Sequence, residues 1–339
     1  MNGVKVVVVG AGVVGLSSAV CIAEALPGCF VTLVAERFSP DTTSDVAAGI
    51  LLTEDFPDVP LERQKRWFQD GFDELLSVAQ SQHSSDAGVL LTSGCQVFKE
   101  VPANKTPYWS DIVLDFRLMS ERELKRFPHH TFGQAFTTIK CECTNYLPWL
   151  LNRFQKAGGQ VQRTKVTHLQ ELGLRYDIIV NCSGLGSRSL AGDGQVYPVR
   201  GQVLRVEAPW LRHFIRDADG KTYIYPGARH VTLGGGRQQG DERLMPDPGE
   251  SDAILERCCR LEPSLSKSRP LGVWVGLRPG RKHPRVEREV LQVNQHRSVH
   301  VVHNYGHGGW GVSLAWGTAV DALKLITKCL QDTPLPAKL

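Results

Sequence analysis

The run Val4-Lys5-Val6-Val7-Val8-Val9, followed at once by Gly10-x-Gly12-x-x-Gly15, constrains this chain more than any other feature. Consecutive β-branched residues suit a strand buried on both faces of a parallel sheet. The three glycines then have separate tasks. The first makes a tight turn, the second admits a pyrophosphate close to the backbone, and the third lets helix pack against strand. A helix opening there aims free N–H groups and the positive end of its dipole at phosphate. A second strand, Phe30 to Val34, runs on to Glu36 and Arg37, and an acid at this distance is the natural ribose ligand. Dinucleotide binding is expected, and the fingerprint serves FAD and NAD alike.

The same region is uncharged from Val6 to Ala23, so hydropathy alone offers a signal peptide or membrane anchor. The glycines, with Ser17 and Ser18, interrupt the run and no small-residue cleavage site follows, so a soluble strand, turn and helix are expected. At 339 residues the chain exceeds what one core usually serves, which predicts two domains. Its 39 basic and 35 acidic residues leave a net charge of +4 with no run of five like charges, which argues against a nucleic-acid or polybasic membrane surface. Nine scattered cysteines suit a reducing compartment. Cys141-x-Cys143 and Cys258-Cys259 lack zinc spacing, so no metal is expected.

Apolar periodicity predicts helices over 61–80 and 146–156, the latter stopped by Gly158-Gly159, and Ser120 with Glu123 reads as a capping box. Strands over 160–166 and 176–182 resume the first sheet. Between about 196 and 294 alternating segments predict a second, mixed or antiparallel sheet. A strand over 299–302, the turn HNYGHGGWG and a helix over 313–330 return to the cofactor side. The expected cofactor domain is therefore discontinuous, at 1–50, 140–195 and 295–339, with 51–139 and 196–294 forming the substrate domain.

Three arginines close apolar stretches: Arg278 in GLRPG, Arg216 in FIRDADG and Arg237 in LGGGRQQG. Tyr223 and Tyr225 alternate in KTYIYPG and so share a strand face. Guanidinium groups and phenols meeting in one cleft suit a carboxylate substrate, because each Arg offers a bidentate fork. Spacing leaves solvent-facing arginines equally open. His129-His130 reads as a surface or packing pair.

The strings VVGAGVVGLSSAVCIAE, PDTTSDVAAG, FGQAFTTIKCECTNYLPWL, IIVNCSGLGSRSLAGD, PVRGQVLRVEAPW, YIYPGARHVTLGG, VGLRPGR and VVHNYGHGGWGVSLAWG together resemble the D-amino acid oxidase family over nearly the whole chain. The resemblance implies an α/β fold with a Rossmann-like FAD-binding domain and an interleaved α+β substrate domain built on a mixed β-sheet. It places FAD against Gly10, Gly12, Val13, Val14 and Gly15, against Glu36 and Arg37, and against the hydroxyls of Thr42, Thr43 and Ser44. Gly49 and Ile50 lie along the flavin, Val166 on the adenosine side, and Cys182 and Ser183 beside the glycine turn. Gly308, Gly309, Trp310, Gly311, Val312 and Ser313 sit by the isoalloxazine, and the helix starting near Ser313 points its positive end at the flavin. Arg278 takes the substrate α-carboxylate and Tyr223 contacts substrate, with Tyr225 and Gly309 nearby.

Arg216 and Arg237 resemble the acidic-substrate branch, which implies oxidative deamination of D-aspartate, D-glutamate or N-methyl-D-aspartate by O2, giving 2-oxo acid, ammonia and hydrogen peroxide. Gly309 and Trp310 look more like the neutral-substrate branch, so oxidation of neutral D-amino acids is the alternative. Glu54 in the loop after Gly49 would repel a dicarboxylate unless it points away, and Asp217 would neutralise Arg216 if the two paired. A nicotinamide-dependent dehydrogenase leaves the GHGGWG turn without a task, and a catalytically silent flavin protein leaves Arg278 and Tyr223 without one. The C-terminal Ala337-Lys338-Leu339 resembles the Ser-Lys-Leu address read by the peroxisomal import receptor, which implies the peroxisome matrix. A homo-oligomer is compatible with all of this.

Overall fold

The computed structural model describes residues 3–332. In chain order the strands are β1 (Val4–Val9), β2 (Cys29–Ala35), β3 (Val89–Phe98), β4 (Leu114–Leu118) and β5 (Phe132–Cys141). Next come β6 (Gln160–Arg163), β7 (Ile178–Asn181), β8 (Tyr197–Glu207), β9 (Phe214–Asp217) and β10 (Tyr223–Pro226). The last are β11 (Val231–Gly234), β12 (Gln238–Gln239), β13 (Arg269–Gly280), β14 (Arg285–Asn294) and β15 (Arg297–Tyr305).

Six strands form one sheet in the order β14-β15-β7-β1-β2-β6, parallel except for β14 at its edge. Val6, Val7 and Val8 are fully buried, as a strand covered on both faces requires. A nine-stranded mixed sheet follows the order β12-β8-β11-β10-β9-β3-β5-β4, with β13 on β8. Within it β3 and β9 run parallel and the other pairs antiparallel. The architecture is the α/β one with a mixed second sheet that the sequence implies. Among the described residues no helix is long and apolar enough to cross a membrane.

Several boundaries differ from expectation. Residues 285–294, expected in the substrate domain, form β14 and pair with β15, so the change of sheet precedes residue 285 rather than 295. The strand expected to reach Val166 stops at Arg163, and Val166 lies in the connection beyond it. The strand over 299–302 runs on to Tyr305, so the glycine turn begins at Gly306. A 3-10 turn, Gly308–Trp310, leads directly into the last helix, Gly311–Asp332, two residues before the expected start. Arg278 lies within β13, where strand pairing to Val199 fixes it, and not at a strand end.

Helix α1 (Val13–Ala25) follows the glycine turn, and helix α2 (Leu61–Ala79) packs with it on the last helix. That brings α2, from the expected substrate segment, onto the cofactor side. The approach is backbone to backbone. A Cβ on Gly317 would fall 2.2 Å from the Trp67 carbonyl oxygen, and one on Gly71 would fall 2.5 Å from that of Ser313. Asp321 then locks the pair, accepting from Trp67 Nε1 at 2.8 Å, Arg63 Nε at 3.1 Å and Arg66 Nη2 at 3.0 Å. Because the neighbouring atom is backbone and cannot rotate aside, Gly317→Ala is expected to cost about 1 to 3 kcal/mol. Thermal denaturation of the variant checks this, and an unchanged midpoint would mean the helices separate freely.

Candidate active site and cofactor cleft

Four parallel strands, β1, β2, β7 and β15, deliver their carboxyl ends to one cleft of about 520 Å³, where ligands of open α/β sheets bind. The cleft wall at β1 is the glycine turn. Gly10 has φ +110°, and a Cβ on Gly15 would sit 1.9 Å from the Gly10 carbonyl oxygen. Strand and helix thus touch with no side chain between them. At the start of α1 the cap residue is Gly12, without a side-chain cap. The first-turn N–H groups have no acceptor inside the helix. Val13 N–H is taken by Ser44 Oγ at 3.0 Å, which leaves Val14 and Gly15 facing the cleft and the Ser44 hydroxyl proton free for an anion. The buried Asn304 Oδ1 has no partner, although Asn304 lines the cleft. A glycine cradle, donors for phosphate and an orphaned acceptor fit a dinucleotide such as FAD.

Every site residue singled out in the sequence borders this cleft. Glu36 and Arg37 directly follow β2, with Lys165 Nζ 3.9 Å from Glu36 Oε1. Gly49, Ile50, Val166, Cys182 and Ser183 line its walls, and Gly308 to Ser313 form its far end. The three hydroxyls differ in what they can offer. Thr42 Oγ1 donates to Asp45 Oδ2 at 2.7 Å and Thr43 Oγ1 to the Leu277 carbonyl at 3.2 Å, so only Ser44 retains a donor.

The second sheet supplies the rest. Tyr223 pairs with Arg216 across β10 and β9, and the rings of Tyr223 and Tyr225 stack at 4.4 Å, on one face as the alternation predicts. Arg216 Nη1 donates to the Tyr225 hydroxyl at 3.1 Å, while its Nε is buried without a partner. Arg278 Nη1 donates to the Gly236 carbonyl at 3.0 Å. A point one bond out from Gly309 lies 3.6 Å from both Arg237 Nη2 and Arg278 Cδ, so the two side chains flank the same spot. Among the described residues no carboxylate forms an ion pair with Arg216, Arg237 or Arg278.

Burial lowers the Arg278 pKa from the ordinary guanidinium value, Tyr223 partly offsets this, and Arg237 adds repulsion. Burial acts on Arg216 in the same sense, but the Tyr225 hydroxyl overrides it and the net direction is upward. The Tyr223 phenol is pushed up to about 12, chiefly by burial, and stays protonated.

Glu54 is exposed and does not border the cleft, and its backbone carbonyl accepts from the Tyr108 hydroxyl at 3.2 Å. Asp217 is buried 3.1 Å from His130 Nε2, so it does not pair with Arg216 and His130 is a packed partner rather than a surface group. Among the cleft residues that went unassigned in the sequence, two polar ones stand in the HNYGHGGWG string. They are Asn304 and His307, and the latter is buried, held near Thr318 Oγ1 at 3.0 Å, and lowered to about 3 by desolvation. Leu244, at the cleft edge in a polar loop, carried no signal at all.

A Rossmann-type cleft at the strand ends, facing a mixed sheet that presents cations and phenols, defines a dinucleotide-binding protein with a site for an anionic substrate. The chain belongs to the FAD dependent oxidoreductase family, whose model matches residues 5–324, and FAD is its cofactor. It is 53% identical to D-aspartate oxidase of Homo sapiens, covering 99% of each chain, and 39% identical to D-amino-acid oxidase of Rubrobacter xylanophilus, covering 95% of each. Glycine oxidase from Geobacillus kaustophilus has the same fold at a TM-score of 0.74 and 18% identity, covering 99% of this chain and 97% of that one.

A methyl group at Gly15 would force the turn open where phosphate must approach. Gly15→Ala is therefore expected to be isolated with less than about a tenth of the wild-type flavin, measured by absorbance at equal protein concentration. Full flavin content would remove the glycine turn from cofactor binding.

Proposed function

We propose that this protein oxidises acidic D-amino acids, D-aspartate foremost, with D-glutamate and N-methyl-D-aspartate as further candidates. The observation that carries the reading is the convergence of three guanidinium groups, from Arg216, Arg237 and Arg278, with no carboxylate paired to any of them among the described residues. A dicarboxylate supplies the missing charge on both sides. The α-carboxylate belongs on Arg278, which the Gly236 carbonyl holds in place. Its second carboxylate falls to Arg216 and Arg237, and the unpartnered Arg216 Nε is one donor available to it. Tyr223, kept as a neutral phenol, hydrogen-bonds substrate without adding negative charge.

When bound, the flavin would supply the redox chemistry, taking the hydride of the substrate Cα–H bond as the amine becomes an imine and returning the two electrons to dioxygen as hydrogen peroxide, while the imino acid hydrolyses to 2-oxo acid and ammonia. The chain's residues orient the substrate and exclude mismatched charge. With the amine deprotonated, no side-chain base is needed. The identity to a D-aspartate oxidase supports the acidic over the neutral reading. So does the position of Glu54, outside the cleft.

Peroxide release across a panel of acidic and neutral D-amino acids, with L-aspartate as control, tests this. Arg278→Ala should lose about two to four decades of kcat/KM on every substrate, as a buried ion pair broken on one side costs roughly 3 to 5 kcal/mol. In Arg216→Ala with Arg237→Ala, efficiency on D-aspartate should fall by about two decades more than on D-alanine. Equal losses on both substrates would assign these two arginines to the fold.

Peroxide production would also give the C-terminal tripeptide a purpose, and we propose the peroxisome matrix as the site of action. Ala337-Lys338-Leu339 lies outside the described residues. A fluorescent protein carrying these last residues should become punctate with catalase. Diffuse fluorescence in cells that import a Ser-Lys-Leu control would overturn the assignment.

A further inference from the structure

Trp310 closes the 3-10 turn Gly308–Trp310, is buried, and borders the cleft. Two cations share its indole. The guanidinium carbon of Arg216 lies 5.7 Å from the ring centroid and that of Arg237 lies 5.5 Å away. Both are within the roughly 6 Å at which a ring face attracts a cation. The arginines come from different parts of the second sheet, Arg216 from β9 and Arg237 from beyond the end of β11, whereas Trp310 comes from the chain leaving β15. Arg216 has one hydrogen bond, to Tyr225, and Arg237 is exposed with no hydrogen-bond partner among the described residues.

Like charges brought together repel, and a side chain as free as Arg237 has many rotamers in which to escape. The negative face of an indole opposes both tendencies. Gly309, immediately before it, keeps the space between Arg237 and Arg278 open, since a Cβ there would lie in contact with both side chains.

We propose that Trp310 is a positioning residue for substrate charge: its ring is a common platform that holds Arg216 and Arg237 so that their forks meet one carboxylate. The inference rests on the acidic-substrate reading and goes beyond it, because it makes an uncharged aromatic residue of the flavin-side turn a determinant of dicarboxylate recognition. Trp310 acts through the arginines. Removing its ring charge should therefore weaken binding of the second carboxylate and leave the first, on Arg278, in place.

The test uses the FAD-loaded enzyme, with succinate as the dicarboxylate probe and propionate as its monocarboxylate control. Dissociation constants come from perturbation of the flavin absorbance. Three replacements are compared: Trp310→Leu, Trp310→Phe and site-specific tetrafluorotryptophan at position 310, which keeps the indole shape while withdrawing its ring charge. The leucine and fluorinated forms should weaken succinate about tenfold, equivalent to 1.4 kcal/mol, with phenylalanine nearer threefold. Propionate should stay within about threefold. For D-aspartate, KM should rise in step while kcat changes little. Should leucine disturb folding, the fluorinated form carries the result alone.

Unchanged succinate binding in the fluorinated enzyme would overturn the proposal. So would equal losses of succinate and propionate, which would make Trp310 a wall of the whole pocket. If the wild-type enzyme itself fails to prefer succinate over propionate, the acidic-substrate reading falls and takes this one with it. A wild-type preference that survives every Trp310 replacement sinks the platform alone.

Discussion

Contact between backbones with nothing in between is the constraint on which this molecule depends. Where β1 turns into α1, the Gly10 carbonyl fills the space that a side chain on residue 15 would need, and the first-turn N–H groups thereby reach the cleft. The same device recurs at Gly317 and Gly71, where α2 meets the last helix. Because that helix begins at the Gly308–Trp310 turn, its seating on α2 also sets where the far wall of the cleft stands. Cofactor site and fold are thus fixed by contacts too close to tolerate any side-chain compromise.

The cleft has two electrical characters. Its nucleotide end is built from backbone dipoles and a hydroxyl, with acid and base mixed at Glu36, Arg37 and Lys165. Its opposite end gathers three guanidinium groups and two stacked phenols. Burial of cations without counter-ions is unfavourable, and proteins usually satisfy them internally. Arg200 shows the usual solution nearby, fully enclosed and bonded to Glu250 Oε2 at 2.5 Å, Gln202 Oε1 and two carbonyls. The arginines of the cleft are denied that solution, so their field is left for an incoming anion.

How far the sequence could be read follows from the range of the interactions involved. The glycine turn and β-branched strands are local, and so is the Ser120–Glu123 capping box, which is formed. Arg278 and Tyr223 were recognisable because family strings surround them. What stayed hidden is long-range. Residues 285–294 alternate like any half-exposed strand, and nothing within them says that they pair with β15 instead of the mixed sheet. That Arg216 and Arg237 both lie over the Trp310 ring could not be read from spacing, since the ring belongs to a third segment some seventy residues beyond Arg237. Glu54 and Asp217 were ambiguous for the same reason, as a side chain's direction is decided by the packing of others: the exposed loop in one case, His130 in the other.

Asp217 follows Arg216 on a four-residue strand, with one facing the cleft and the other turned to His130. Successive residues on a strand face opposite ways, and slipping the register by one reverses every assignment. In β9 such a slip would exchange an arginine for an aspartate in the cleft and reverse the charge presented there without altering a single amino acid. The parity of this strand is therefore part of the enzyme's chemical vocabulary. Length changes in the turn from Ala218 to Lys221 are compatible with it; a residue gained or lost between Phe214 and Asp217 is not.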